Sequence, residues 1–170
     1  SISATHFAFA AVNTGGRVVT WGDQQMGGDS SGVQEQLLDV QSISATNFAF
    51  AAIKADGSVV TWGCQGYGGD LSGVQDQLFA VQSISATHFA FAAVKTGGRV
   101  GTWGRQEMGG GSSGWQDQLI DEQSISATNF AFAASKAGRR GVACGRRRHG
   151  GAVPRGAASW FADERSSASL

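Results

Sequence analysis

The chain has 170 residues with 13 basic and 13 acidic side chains, 26 glycines and a single proline. This length can bury one modest core, and the glycine content suits tight turns between short strands. No apolar run reaches the roughly 18 residues of a membrane span and no signal peptide opens the chain, so we expect a soluble protein whose compartment is unmarked.

The sequence repeats itself four times with a period of 41 residues, and Ser1, Ser42, Ser83 and Ser124 open the copies. The repeats span 1–41, 42–82, 83–123 and a degenerate 124–164, followed by a tail at 165–170. Copies one and three are identical at 32 of 41 positions, but copies one and two at 28, so alternate copies are closer relatives. Such a period predicts a solenoid, a propeller or an array.

Each repeat predicts three antiparallel strands. In the second copy these are a short alternating run over 40–45, the Phe-Ala-Phe run over 48–53 with both faces apolar, and a β-branched return over 58–62. Ala55-Asp56-Gly57 supplies a tight hairpin between the last two. A Gly-Gly loop follows, and then a polar segment over 74–78 that is either a helical turn or an extended crossover. The pattern indicates an all-β fold, namely a partial or small β-propeller of three-stranded repeats or an open arc.

One repeat cannot bury its own aromatic side chains, each worth roughly 1.5–3 kcal/mol when fully buried, whereas stacked repeats can. The aromatics of the Phe-Ala-Phe and Trp-Gly motifs are therefore predicted to form a shared core. An alternative role as a nucleic-acid stacking platform is disfavoured because alanines, not Lys or Arg, flank the rings. The predicted structural residues are Phe7, Phe9, Trp21, Phe48, Phe50, Trp62, Phe89, Phe91 and Trp103.

These motifs resemble the repeats of the regulator of chromosome condensation superfamily: Phe-Ala-Phe-Ala-Ala, a glycine hairpin, then Val-Val-Thr-Trp-Gly and a Gly-Gly loop. The short period is closer to beta-lactamase-inhibitor protein II, with its three-stranded blades, and the likeness covers residues 1 to about 136. It implies a seven-bladed propeller that binds proteins, as in nucleotide-exchange factors, HERC-type ubiquitin ligases and enzyme inhibitors. Four copies leave open a fragment, an open arc, or a smaller or assembled ring.

Variation among the copies concentrates just after each Trp-Gly. Equivalent loops on a rigid scaffold would gather their side chains on one rim, as in protein-binding faces. Drifting surface positions are an equally good explanation. The predicted partner-binding residues are Met26, Tyr67, Arg105, Met108 and Trp115.

The C-terminal region is strongly basic. Residues 1–123 hold 5 basic and 11 acidic side chains, net −6, and residues 124–170 hold 8 and 2, net +6. Two explanations remain open. One is a basic patch that binds phosphate or an acidic partner. The other is a frameshifted fourth copy, in which Cys144-Gly145 replaces Trp-Gly. The basic residues are Arg139, Arg140, Arg146, Arg147, Arg148 and Arg155.

No residues are arranged as a catalytic constellation, and we expect no enzyme activity, no cofactor and no metal. His6 and His88 lack ligand partners at metal spacing and are replaced by Asn in the other copies, so they are interpreted as polar groups at strand ends. Two function classes remain. The first is a protein-interaction module or accessory subunit of a larger assembly, and the alternative is a chromatin- or nucleic-acid-associated module that uses the Arg-rich 139–155 segment.

Overall fold

The computed structural model describes residues 1–111, 122–136 and 139–145, and within these ranges each repeat forms one three-stranded antiparallel sheet. The strands follow chain order in every sheet, so the second strand is central. The strands are β1 (Ile2–Ala4), β2 (Ala8–Val12), β3 (Val18–Gly22), β4 (Val40–Ala45), β5 (Ala49–Lys54), β6 (Val59–Gly63), β7 (Val81–Ala86), β8 (Ala90–Lys95), β9 (Val100–Gly104), β10 (Glu122–Ala127), β11 (Ala131–Lys136) and β12 (Arg139–Gly145).

The register of the sheets follows the aromatic motifs. Phe50 in β5 pairs with Trp62 in β6, and the first and third sheets align the equivalent residues in the same way. In the fourth sheet the partner of Phe132 is Cys144, so this cysteine takes the place of the tryptophan. The structure thus confirms the predicted all-β repeat, and the central strand is buried on both faces in the second and third sheets.

Short 3₁₀ helices follow the third strand in each of the first three repeats. One begins after a single residue past each Trp-Gly, and the polar segment over 74–78 contains a helical turn rather than an extended crossover. In the described residues these helices are Gln24–Met26, Ser31–Gln36, Gln65–Tyr67, Gln75–Gln77 and Gln106–Met108. None of them has the length and hydropathy that a membrane span needs.

The sheets stack face to face. We call the side that packs on the preceding repeat the leading face, and the side that packs on the following repeat the trailing face. Ala8, Ala10 and Val12 on the trailing face of the first sheet form one core with Phe50 and Trp62 on the leading face of the second. An equivalent core lies between the second and third sheets, with the same residue types in register. Repetition of the sequence therefore becomes repetition of one interface.

Glycine in the loop after each sheet lets the phenylalanine ring of the next sheet approach the loop backbone. Gly27 has φ 100° in the loop after the first sheet, and a Cβ atom there would lie 2.5 Å from Cδ2 of Phe50. Trp62 Nε1 donates a hydrogen bond to the carbonyl of Gly27 at 3.0 Å. The next junction repeats both features, because Trp103 Nε1 donates to Gly68 O at 3.2 Å and Phe91 lies against Gly68. Glycine is therefore required here twice, once for its positive φ and once because the ring of the next repeat packs against it.

First strands of neighbouring sheets are joined by serine hydroxyls. Ser3 Oγ donates to Ile43 O at 2.8 Å, and Ser44 Oγ to Ile84 O at 3.1 Å. Ser85 and Ile125 make the same bond at 3.0 Å. These edge strands consequently lie side by side along one edge of the stack.

The prediction of a single aromatic core needs correction. The second phenylalanine of each motif is in the core at Phe50, Phe91 and Phe132, but the first lies at the ends of the strands. Phe7 is 54% exposed, and Phe48, Phe89 and Phe130 are partly exposed. Phe9 and Trp21 are each 45% exposed as well, although their sequence context matches Phe50 and Trp62, because among the described residues no sheet packs on the leading face of the first sheet.

Candidate functional site

A threonine shapes the turn between the first and second strands of every sheet. In the second repeat, Thr46 Oγ1 accepts hydrogen bonds from the backbone N–H groups of Phe48 at 3.2 Å and Ala49 at 3.0 Å. Its hydroxyl also lies 3.2 Å from the carbonyl oxygen of Tyr67, to which it donates. Such a local hydroxyl bond fixes the turn without help from the sheet ladder. The threonine therefore ties the turn to the loop that follows Trp-Gly.

The backbone of these turns is joined from repeat to repeat. The N–H of His6 donates to Asn47 O, that of Asn47 to His88 O, and that of His88 to Asn129 O, each at 3.0 Å. Because these bonds use only the backbone, the side chains at the four positions are free to alternate between His and Asn. We call this hydrogen-bonded row of turns at one end of the stack, formed at His6, Asn47, His88 and Asn129, the backbone rail.

The phenylalanines that follow on this rail form a continuous row of rings. Ring centroids are 6.1 Å apart for Phe7 and Phe48, 5.9 Å for Phe48 and Phe89, and 6.1 Å for Phe89 and Phe130. Their planes lie within 25° of each other. We call this row, with Tyr67 beside it, the aromatic rim.

Tyr67 joins the loop after the second Trp-Gly to the rim. Its ring centroid lies 4.8 Å from that of Phe48 and 5.5 Å from that of Phe89, so it sits beside the gap between them. The guanidinium carbon of Arg105, from the next loop, lies 6.0 Å from the Tyr67 centroid, which is cation–π distance. Two of the predicted partner-binding residues are thus brought together on the rim.

The remaining predicted partner-binding residues are placed differently. Met26 occupies the position of Tyr67 in the first repeat, is partly exposed, and its carbonyl accepts from Thr5 Oγ1 at 3.3 Å. Met108 occupies the same position in the third repeat but is only 8% exposed, so little of its side chain is open to a partner. Trp115 lies outside the described residues.

The basic residues give no described site. Arg139 and Arg140 begin strand β12, whose backbone pairs with β11. Arg146, Arg147, Arg148 and Arg155 lie outside the described residues. The choice between a basic patch and a frameshifted copy therefore stays a prediction.

Histidines on the rim contact rings rather than metal ligands. His6 packs edge-on against Phe7 and Phe48, and His88 against Phe89 and Phe130, at centroid distances of 5.5–6.1 Å. Within the described ranges no three His, Cys, Asp or Glu side chains come close enough to share an ion. Cys64, at the start of the second loop, is a free thiol.

Shifted ionisations lie away from the rim. Hydrogen bonds from the hydroxyl and backbone N–H of Ser58 lower the pKa of Asp56 in its hairpin. The backbone N–H and the side chain of Ser31 likewise lower the pKa of Asp29. Burial lowers the pKa of Lys95, whose ammonium donates to Gln77 O at 2.8 Å. Asp29 and Asp56 lie in connections between strands and Lys95 is the last residue of β8, so none of these shifts marks a reactive centre.

Sequence reasoning placed the phenylalanines of the rim in the core and did not single out the threonine. The signal was present, because Ser-Ala-Thr-(His/Asn)-Phe is kept in all four copies. A threonine two residues before a phenylalanine, with a variable polar residue between, indicates a turn rather than a strand interior.

Comparison with solved structures finds β-propeller proteins. The yeast RCC1 protein Prp20 in complex with Kap60 is similar with a TM-score of 0.56 and 15% identity, over 84% of this chain and 42% of that chain. The receptor kinase CR4 ectodomain from Physcomitrella patens is similar at 0.54 and 17%, over 85% and 38%. The CRINKLY WD40 ectodomain of ACR4 from Arabidopsis thaliana is similar at 0.51 and 18%, over 86% and 50%. No family model and no curated protein matches the sequence.

These likenesses establish the fold. The chain has an RCC1-like repeat fold and is built as part of a β-propeller. It spans half or less of the length of these solved relatives. At such identities the fold does not carry a partner or an activity from one protein to another.

Proposed function

We propose that this chain is a non-enzymatic protein-interaction module that holds its partner on the aromatic rim, as an accessory or scaffold subunit of a larger assembly. The observation that carries the proposal is the unbroken row of partly exposed rings along the backbone rail. Exposed aromatics on a rigid scaffold are the side chains that dominate binding energy in protein interfaces.

Ring exposure leaves free energy to be gained on binding. A fully buried phenylalanine is worth roughly 1.5–3 kcal/mol, and more than half of the Phe7 side chain is still in contact with water. The rings are already ordered by Thr turns and backbone bonds, so a partner need not immobilise them. Preorganised apolar surface of this kind favours a binding role.

Spacing along the rim suggests the form of the partner. Neighbouring rings are 5.9–6.1 Å apart, and alternate side chains of an extended peptide are about 6.6–6.8 Å apart on one face. An extended segment with apolar residues at every second position would place one side chain near each gap between rings. We propose such a segment as the element that the rim recognises.

Charge supports a protein rather than a nucleic acid as the partner of the rim. Residues 1–123 carry a net charge of −6, which repels a phosphate backbone. The alternative, a nucleic-acid role for the Arg-rich 139–155 segment, rests on the sequence alone. One solved protein of this fold agrees with protein partners, since yeast Prp20 is bound to Kap60 in one structure, and a second structure of it is reported with its binding to Gsp1p and histones.

Affinity isolation from the native source tests the proposal with two matched variants. Phe7→Ser and Tyr67→Ser remove rings from the rim, and Phe79→Ser is the control because Phe79 is 65% exposed and precedes the first strand of its sheet, at the opposite end from the rim. We expect stoichiometric proteins on the wild type and on the control, retained at high salt, and lost from the rim variants. Circular dichroism verifies that each variant is folded.

Two results would contradict the proposal. Retention of the same proteins by the rim variants would show that the rim does not bind them. Recovery of nucleic acid alone, released steeply as salt rises, would move the function to the Arg-rich segment.

A further inference from the structure

The central gap of the aromatic rim, between Phe48 and Phe89, is lined differently from the gaps on either side. His6 packs edge-on against both rings of the gap before it, and His88 against both rings of the gap after it. At the same position of the backbone rail the central gap has Asn47. The row of rings therefore contains one gap whose neighbours are of a different kind.

The loop beside the central gap is also distinct. The ring centroid of Tyr67 lies 4.8 Å and 5.5 Å from the centroids of the two rings of this gap. Its counterparts in the first and third loops are Met26 and Met108. The guanidinium carbon of Arg105 lies 6.0 Å from the Tyr67 centroid. The central gap thus combines aromatic rings with a cation.

Arg105 is held at this gap from two sides. Its backbone N–H donates to Phe89 O at 2.9 Å, and its guanidinium lies at cation–π distance from Tyr67. A guanidinium that faces a ring keeps its in-plane N–H groups for a bidentate pair with another group. Because Arg105 is exposed, a group from solvent can reach these donors.

The loop that carries Arg105 does not use this charge. The equivalent residue of the first loop is Asp23, whose Oδ1 accepts hydrogen bonds from the backbone N–H groups of Gln25 and Met26 and so caps the short helix. Arg105 makes no such capping bond. In the described part of the chain no carboxylate lies within ion-pair distance of its guanidinium, and the one ion pair is in the second hairpin. The cation is therefore available to another molecule.

A single carboxylate is the group that fits this cation. Carboxylate oxygens match the N–H fork of arginine in a bidentate pair. A phosphate backbone fits less well, because residues 1–123 carry a net charge of −6 and repel a chain of anions. The same repulsion acts on an acidic side chain placed away from Arg105, so one acid is favoured at one position only.

We infer that the extended segment proposed for the rim carries Asp or Glu at the position that faces the central gap, with apolar residues two positions before and after it. Arg105 pairs with that acid and fixes the register of the segment, which a row of equivalent rings cannot do. Because alternate residues of an extended chain share a face, the two apolar side chains meet the outer gaps. The inference rests on the proposed function and specifies it at one position.

Selection of random dodecapeptides displayed on phage, with the wild-type chain as bait, tests the inference. We expect the enriched peptides to share an acidic residue with apolar residues two positions away on each side. Arg105→Glu should enrich a basic residue at that position instead. Arg99→Glu is the matched control and should enrich the same peptides as the wild type, because Arg99 is also exposed but precedes β9, at the end of the sheet opposite from the rim.

A selected peptide gives the size of the effect. Replacing its acid by the corresponding amide should weaken binding to the wild type about tenfold, because a charge-assisted hydrogen bond is lost. The same replacement should change binding to Arg105→Gln little, since the pair is already broken in that variant. Fluorescence anisotropy of the labelled peptides measures these dissociation constants, and circular dichroism verifies that each variant is folded.

The outcomes separate this inference from the proposed function. Peptides that bind the Phe7→Ser and Tyr67→Ser variants as tightly as the wild type do not use the rim, and would contradict both. Peptides that need the rim but share no acid, or that Arg105→Glu enriches unchanged, would overturn the role of Arg105 and leave the rim as the binding surface. A wild-type chain that enriches no peptide would refute the acidic extended segment as its ligand.

Discussion

Replacement of Gly68 by alanine tests whether the repeats dock as described. Gly68 has φ 102° and ends the 3₁₀ helix after the second Trp-Gly. A Cβ atom at this position would lie 2.6 Å from Cδ2 of Phe91, a ring that is completely buried. The substitution therefore strains the local backbone and also pushes on the leading face of the next repeat.

The two effects have separate magnitudes. An L-residue in the left-handed region costs roughly 1–2 kcal/mol. Overpacking a buried ring costs roughly 1–3 kcal/mol more, because a dense core yields little. A smaller gain of about 0.4–1 kcal/mol comes from the lost freedom of the unfolded chain. We expect Gly68→Ala to lower the free energy of unfolding by about 2–4 kcal/mol.

Substitutions at two further glycines separate the cost of backbone strain from the cost of overpacking. Gly97 has φ 86° but nothing within 4 Å of a built Cβ, so Gly97→Ala contains only the backbone term. Gly73 has an equally open position without a positive φ, so Gly73→Ala contains neither. Urea unfolding followed by tryptophan fluorescence gives the midpoint and slope for each variant. Trp103, whose indole donates to Gly68 O, is one of the five tryptophans that contribute to this signal.

We expect Gly73→Ala to have the highest free energy of unfolding of the three variants, Gly97→Ala a lower one and Gly68→Ala the lowest. If Gly68→Ala and Gly97→Ala lose the same free energy, Phe91 does not press on the glycine loop. The inter-repeat packing described here would then be wrong at this junction.

Two more substitutions follow from local geometry. Ala80 is a non-glycine residue at φ 52°, where the first repeat has Asp39. Ala80→Asp should raise the free energy of unfolding, measured in urea, by about 0.5–1 kcal/mol, because Asp tolerates this left-handed conformation better than Ala. A lower free energy of unfolding would contradict the strain argument. Ser58→Ala removes the hydroxyl donor of Asp56 and should raise the pKa of that carboxyl toward its ordinary value of about 4. Because the folded pKa is lowered, the stabilising effect of this bond is present above the ordinary pKa and lost as pH falls through the folded one. Carboxyl NMR titration measures the shift, with Asp29 as an unchanged reference; no change at Asp56 would refute it.

Much of the fold could be read from the sequence because its signals are local. Alternating apolar residues, Asp-Gly or Gly-Gly hairpins and the recurring Trp-Gly specify three strands and their turns within each 41-residue copy. The structure has these elements where the pattern places them, with the Phe-Ala-Phe strand central in each sheet. Repetition also required stacking, since one sheet with two apolar faces cannot bury both by itself.

The candidate site was predicted less well. The variable loop residues Tyr67 and Arg105 meet at the rim end of the sheets, and their role in binding a partner stays a prediction. The main apolar surface of that end, the row that includes Phe7, Phe48 and Phe89, was assigned to the core. Phenylalanine two positions from another phenylalanine reads as one strand face, but the threonine turn ends the strand between them.

The sequence of a single repeat does not determine which of its aromatic side chains are buried. Phe9 and Phe50 occupy the same string, Phe-Ala-Phe-Ala-Ala, and form the same stack with the same tryptophan, yet one is 45% exposed and the other 0%. The local sequence determined the strand, the register and the ring pair in both repeats. Only the tertiary structure decided which pair is core and which is surface, because burial depends on the neighbouring repeat, which the residues of a single copy do not encode.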